Sequence, residues 1–344
     1  MSTTDRGRPH VTLKTASLGS TGMEITRVGF GAWAIGGDDW THGWGAQADD
    51  DSVAAIRYAV EAGVNWIDTA AVYGLGHSEE VVARALKGIP ENDRPYVFTK
   101  GGLVWDPADR SAGARRVGEP ASLRREVEAS LRRLDVDRID LYQMHWPTQD
   151  GTPVEEYWQT FVELKDEGKV RAIGLSNHDT KQLDRAEAIG HVDSLQPPFS
   201  MIRRDAAADV IPWCEQHDTG VIVYSPMASG LLTGTFTTER AASLGPTDWR
   251  SRSSDFTGEG LQRNLALVDD LRPIAARKGV SVAALSVAWT LAFRGVTGAI
   301  VGARRPDQID GWVPAADVAL DEDDLDDIAA AIRSNGIGDE LTRP

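Results

Sequence analysis

The chain has 344 residues, 41% hydrophobic and 26% charged, and 36 basic against 52 acidic side chains give a formal charge of −16. So acidic a surface repels phosphate backbones and argues against a nucleic-acid partner, and the single cysteine, Cys214, leaves no internal disulfide and no cysteine metal cluster. The opening MSTTDRGRPH lacks an apolar signal core and no run approaches a membrane span, so a cytoplasmic protein without a membrane partner is expected.

Taken in order, residues 1–9 read as a flexible tail. Residues 11–28 alternate apolar and polar on either side of a Ser20-Thr21-Gly22 turn, which predicts a β-hairpin. Residues 29–37, GFGAWAIGG, read as a strand entering a Gly-rich loop. A rhythm then sets in. Helical spacing at 51–63, 78–88, 119–135, 153–169, 179–190 and 205–218 alternates with strands at 64–68, 95–100, 138–145, 170–177, 192–196 and 220–226. A Gly/Ser/Thr-rich stretch at 230–258 leads to helices at 259–278 and 281–293, a last strand at 297–303, and helices at 305–312 and 322–334. Alternating strands and helices imply parallel pairing, and eight such units suggest an α/β fold, a closed (β/α)₈ TIM barrel. The expected domain spans 10–335, with a second tail at 336–344.

The strand ends carry the functional argument. Asp68, Lys100, His145, Asn177, Gln196, Ser225 and Gly302 fall at the C-terminal tips of seven strands, which converge on one face in a barrel. The loop after Asp68 adds a phenol, Tyr73. A phenol is a weak acid, with a pKa near ~10. An ammonium at ~4 Å in an effective dielectric of ~20 attracts a phenolate by ~4 kcal/mol, about 3 pKa units at most before desolvation. Asp68 would orient Lys100, and His145 would hydrogen-bond a substrate oxygen or relay a proton. Such a site suits protonating an oxygen as charge develops on it, as in carbonyl reduction.

Reduction needs a hydride donor, and with no metal cage in the sequence a nicotinamide is the natural source. GLGHSE (74–79) has two of the glycines of a dinucleotide fingerprint and lacks the third, which disfavours a Rossmann site. Ser176, Asn177 and Gln196 offer partners for a carboxamide, Tyr224 a ring for stacking, and GARRPDQ (302–308) a Gly turn with two Arg for a 2′-phosphate. His42, His77, His178, His191 and His217 lack ligand spacing and read as surface or turn residues. DEDDLDD (321–327) reads as the acidic first turn of the last helix. Trp33, Trp40, Trp44, Trp105, Trp146 and Trp249 fall in or near loops, and Trp33 and Trp146 are the best candidates for a substrate wall.

LGSTGMEITRVGFGAW, NWIDTAAVYG, FTK, RIDLYQMHWP, GKVRAIGLSN, YSPMASGLLTG and IVGARRPDQI, in that order, resemble the aldo-keto reductases over about residues 11–335. GARRPDQ is most similar to a bacterial branch related to general stress proteins and potassium-channel β subunits. The resemblance implies an NADP(H)-dependent enzyme that reduces aldehydes and ketones. Tyr73 would be the proton donor in a tetrad with Asp68, Lys100 and His145. It further implies cofactor contacts from Trp33, Asp68, Ser176, Asn177, Gln196, Tyr224, Ser225, Pro226, Met227, Gly230, Leu231, Gly302, Ala303, Arg304 and Gln308. Two positions depart from the family pattern. Thr235 and Phe236 stand where many relatives have a Lys near the pyrophosphate, and Trp312 where many have an Asn near the adenine. The partner expected is a small carbonyl compound, with the chain a monomer or weak homo-oligomer. The other readings are a cofactor-binding regulatory subunit with little turnover, or a dehydrogenase of alcohols or sugars.

Overall fold

The computed structural model describes residues 12–37, 40, 42–110, 112–245, 248–338 and 340–344; the tail expected at 1–9 lies outside them. Eight strands form the barrel: β1 (Val28–Gly31), β2 (Trp66–Asp68), β3 (Tyr96–Gly101), β4 (Ile139–Met144), β5 (Val170–Ser176), β6 (Ser194–Gln196), β7 (Gly220–Tyr224) and β8 (Val296–Gly302). Each pairs in parallel with its neighbours in sequence, and β8 pairs with β1, so the sheet closes on itself. The expected (β/α)₈ barrel is what the chain forms.

Helices α1 (Asp49–Glu61), α2 (His77–Leu86), α3 (Pro120–Leu134), α4 (Val154–Asp166), α5 (Thr180–Glu187) and α6 (Val210–Gln216) connect successive strands from β1 to β7. The β7–β8 connection carries α7 (Gly258–Lys278) and α8 (Val282–Ala292), and α9 (Glu322–Ser334) closes the chain. Each helix lays an apolar stripe on the sheet. In α4 that stripe is Tyr157, Trp158, Phe161 and Leu164, all buried at helical spacing. Helix α9 starts as its acidic sequence predicts: Asp321 caps it, with Asp324 returning the bond. No single helix among the described residues is long and apolar enough to cross a membrane.

Two expected helices come out shorter and tighter. Residues 305–312 form a 3₁₀ turn, Pro306–Gly311, followed by another, Val313–Ala316, because Pro314 has no N–H with which to extend an α-helix. The 205–218 segment begins as a 3₁₀ turn, Asp205–Ala207. It restarts at Asp209, whose side chain accepts from the Val210 N–H and caps α6. Residues 103–118 hold an unforeseen antiparallel ribbon, Leu103–Val104 against Arg115–Arg116. Near the C-terminus the Arg204 guanidinium donates to the carbonyls of Ile337 and Glu340 at 2.8 and 2.9 Å, tying that segment to the barrel.

The predicted hairpin forms from Thr15–Ser17 and Glu24–Thr26 and stops the N-terminal end of the barrel. Its Leu18, Met23 and Ile25 pack onto Trp66, Phe98, Leu141 and Ile222, which point into the barrel from four strands. Burying each such side chain contributes on the order of 1.5–3 kcal/mol. The Trp66 indole donates to Thr26 O at 2.8 Å, so it locks the hairpin to β2. That ring lies against the backbone of β1, and a methyl group on Gly29 would collide with it. Gly29→Ala should therefore cost about 3 kcal/mol in urea unfolding, with Trp66→Leu in the same chain restoring part of the loss.

The turn after β5 depends on a buried imidazole. His178, which the sequence placed at the surface or in a turn, is in a turn but only 3% exposed. Its Nδ1 meets Ser176 O at 2.8 Å, and its Nε2 meets the Tyr157 hydroxyl at 2.8 Å. Burial holds its pKa down at about 4, so the folded chain keeps it neutral where the unfolded chain protonates it. This contribution is fully present above pH ~6.5 and is lost as pH falls toward 4, by about 3 kcal/mol in all. Urea midpoints between pH 7 and 4 should show that slope, and His178→Gln should remove it.

Candidate active site

At the C-terminal end of the strands the interior changes from apolar to polar. Asp68 and Lys100, at the tips of β2 and β3, are 3% and 1% exposed, and their side chains meet at 2.5 Å. Two charges in so dry a place need further partners. Lys100 also donates to Thr69 O at 2.9 Å, and Asp68 accepts from Gln196 at 2.8 Å and from Gln143 at 3.4 Å. Gln143 was not among the sequence candidates. It shares the inward face of β4 with Leu141, and a polar residue at such a position was the available signal.

The network continues across the mouth. Ser176 Oγ donates to Gln196 O at 2.8 Å, Asn177 Nδ2 donates to His145 O at 3.0 Å, and the Tyr224 hydroxyl donates to Asn177 Oδ1 at 2.8 Å. Asn177 and Ser225 sit at φ 63° and 57°, in the left-handed region, and Ala228 and Ser229 follow at 46° and 53°. Strain of this kind after β5 and β7 is held by the surrounding scaffold and gathers at functional sites.

Tyr73 lies on the loop after β2 beside this network. Its ring centroid is 5.3 Å from Lys100 Nζ and 5.7 Å from the His145 ring, which meets it edge-on. Gly74, at φ 61°, makes the turn that follows, where any side chain would strike Gly36 O. Burial dominates the electrostatics. The walls around Tyr73, and then the Asp68 charge, push its phenol well above the ordinary value. Desolvation therefore outweighs the pull from Lys100 toward phenolate, and the phenol stays protonated. Burial lowers Lys100 too, against the opposing pull of Asp68. His145 is held well below its ordinary value by burial and then by the Lys100 and Arg116 charges, so its ring is neutral at pH 7. Its buried Nδ1 has no partner among the described residues.

A cavity of about 1170 Å³ opens over these groups and runs along the strand tips. Of the sequence candidates, Trp33, Asp68, Tyr73, His145, Trp146, Ser176, Asn177, Gln196, Tyr224, Ser225, Pro226, Met227, Gly230, Gly302, Ala303, Arg304 and Gln308 line it. Two candidates do not. Lys100 lies behind Asp68 and Tyr73, and Leu231 is buried with Phe236, Phe256 and Leu261 under the long loop. The tryptophans form one wall: Trp33 stacks on Trp249 at 6.0 Å and meets Trp44 edge-on at 5.2 Å, and Trp40 also borders the space.

The far end is cationic. Arg240, Arg250, Arg304 and Arg305 border it, where Thr235 and Phe236 offer no charge. Arg250 pairs with Asp248 and Arg305 with Asp307. The Arg304 guanidinium is spent on the loop before α1, donating to Gln47 Oε1 at 2.6 Å and to the Trp44 and Ala46 carbonyls. Gln308 Oε1 accepts from the Arg304 backbone N–H at 2.7 Å. Trp312 borders this end with its indole N–H unpartnered among the described residues.

Comparison with known proteins agrees with this architecture. A sequence profile of the Aldo/keto reductase family matches residues 27–333. The chain is 35% identical over 334 residues to the aldo-keto reductase YhdN of Bacillus subtilis (strain 168), covering 95% of this chain and 97% of that protein. It is 34% identical over 321 residues to the NADH-specific methylglyoxal reductase of Escherichia coli (strain K12), covering 91% and 96%. The solved structure of the glycerol dehydrogenase AKR11B4 from Gluconobacter oxydans superposes with a TM-score of 0.86 at 36% identity, over 94% of this chain and 96% of that one. With the profile, the relatives and the closed barrel all in accord, the chain belongs to the aldo/keto reductase family, oxidoreductases that interconvert carbonyls and alcohols with a nicotinamide cofactor.

Proposed function

We propose that this protein reduces aldehydes or ketones to alcohols, with Tyr73 giving the proton and NADP(H) as the preferred cofactor. The observation that carries the reading is that Asp68, Tyr73 and His145 line one end of a single cavity with Lys100 packed directly behind Asp68 and Tyr73. A nicotinamide supplies a hydride when bound, and the residues present fit one. Ser176, Asn177 and Gln196 line the cavity with hydroxyl and amide groups at the strand tips, and Tyr224 lines it beside them. Gly230 and Gly302 leave the channel open where side chains would narrow it.

The chain's own groups divide the work. Tyr73, kept protonated by its surroundings, donates to the carbonyl oxygen as charge grows there. Lys100 stabilises the phenolate left behind, and Asp68 holds the ammonium in place. His145, a neutral imidazole, hydrogen-bonds the same oxygen and orients the carbonyl. The tryptophan wall and Trp146 exclude water and favour an apolar body on the substrate. Net alcohol oxidation is the second reading, favoured by one observation, the 36% identical glycerol dehydrogenase. Initial rates measured in both directions at one pH decide between them.

Two tests follow. Tyr73→Phe should lower kcat for 4-nitrobenzaldehyde reduction by ~10³-fold with little change in cofactor affinity. The wild-type profile for reduction should stay level from neutral pH and fall only above about pH 10, because the phenol is raised rather than lowered. An alkaline limb near pH 8 would assign the proton to another group. For the cofactor, the four arginines act as a field on a 2′-phosphate, since Arg304 is already engaged with the 44–47 loop. Arg304→Ala loosens that loop for either cofactor, so the readout is the ratio: NADPH affinity should fall ~10-fold further than NADH affinity in fluorescence titrations. Equal losses would remove the case for NADP(H), as would an NADH preference like that of the Escherichia coli relative.

A further inference from the structure

One cation at the other end of the cavity is unaccounted for. Arg116 lies in the ribbon opposite Leu103, half-buried, on the wall of the cavity that Tyr73 and His145 also line. Its guanidinium carbon stands 4.4 Å above the Trp146 indole, and Trp146 directly follows His145 in sequence. Among the described residues Arg116 has no carboxylate partner and makes no side-chain hydrogen bond. In a chain with 52 acidic residues that isolation is informative. Of the other arginines that border the cavity, Arg250 pairs with Asp248, Arg305 with Asp307, Arg304 donates to loop oxygens and Arg110 to Gly74 O, while Arg240, at the far end, is exposed to solvent. An aromatic face orients a guanidinium without neutralising it, and it leaves the in-plane N–H edge free to fork onto a planar anion.

We propose that Arg116, held on Trp146, is a specificity-determining subsite for a carboxylate on the substrate, so that the preferred substrates are oxo acids or carboxylated aldehydes. The inference rests on the carbonyl-reduction reading and deepens it. The tryptophan wall takes the apolar body of such a substrate, the carbonyl meets Tyr73 and His145, and the carboxylate closes the ion pair that the protein leaves open. The same placement adds positive potential to the burial and the Lys100 charge that keep the His145 ring neutral and suited to hydrogen-bond a carbonyl.

The test compares 4-carboxybenzaldehyde with 4-nitrobenzaldehyde, which match in shape and differ in charge. Going from wild type to Arg116→Gln, kcat/KM for the carboxylate should fall roughly ten- to a hundredfold further than for the nitro compound. The extra loss should lie mainly in KM, and Arg116→Lys should recover part of it. Equal losses on the two compounds, or no loss on the carboxylate, would overturn the subsite. The corresponding benzyl alcohols, titrated by tryptophan fluorescence with saturating NADP⁺, separate this from the parent reading. Charge-selective, Arg116-dependent binding without turnover keeps the subsite and sinks the reductase. Turnover with charge-blind kinetics and binding does the reverse.

Discussion

The buried pair of Lys100 and Asp68 is the constraint on which the upper half of the barrel depends. Removing either partner would strand a charge where water does not reach, at a cost of several kcal/mol. The pair is tolerable because three more groups complete it: Thr69 O accepts a hydrogen bond from the ammonium, and Gln143 and Gln196 donate to the carboxylate while bonding to each other. Those bonds join β2, β3, β4 and β6 at one level. Their tips therefore cannot shift independently, and Tyr73, packed over Lys100, takes its orientation from the same node.

The barrel interior is thereby divided. The half near the hairpin is an apolar plug of Trp66, Phe98, Leu141 and the hairpin's own side chains, which supplies stability. The half near the loops holds strained backbone at Asn177 and Ser225 and buried polar groups, and it is stable only because the other half is rigid. Chemistry on such a scaffold needs few residues from each strand, and the loops determine what reaches them.

Charge is divided as well. The exterior of a chain carrying −16 repels anions, yet the cavity is bordered by arginines at both ends. Arg240, Arg250, Arg304 and Arg305 form the far set, and Arg116 stands over Trp146 on the wall that Tyr73 and His145 also line. Low-dielectric walls focus that local potential, so an anionic cofactor or substrate meets attraction only at the mouth.

Read on its own, the sequence determined the hairpin, the eight alternating units and the polar residues at their tips, because strand and helix periods are local properties of the chain. It named Asp68, Tyr73, Lys100 and His145 for the same reason: each ends a strand or opens the loop after one. Tertiary structure alone decided the partners. Gln196 bonds Asp68 across 128 residues, and the polar Gln143 on the inward face of β4 does not disclose that its partners are Asp68 and Gln196. Arg304 donates to oxygens more than 250 residues away, which a Gly-Ala-Arg-Arg motif does not disclose. His178 resembles any turn histidine until Tyr157, on a different element, covers it. Even the direction of the Tyr73 shift follows from packing, since a neighbouring ammonium argues for a lowered pKa and only the closed walls make desolvation the larger effect.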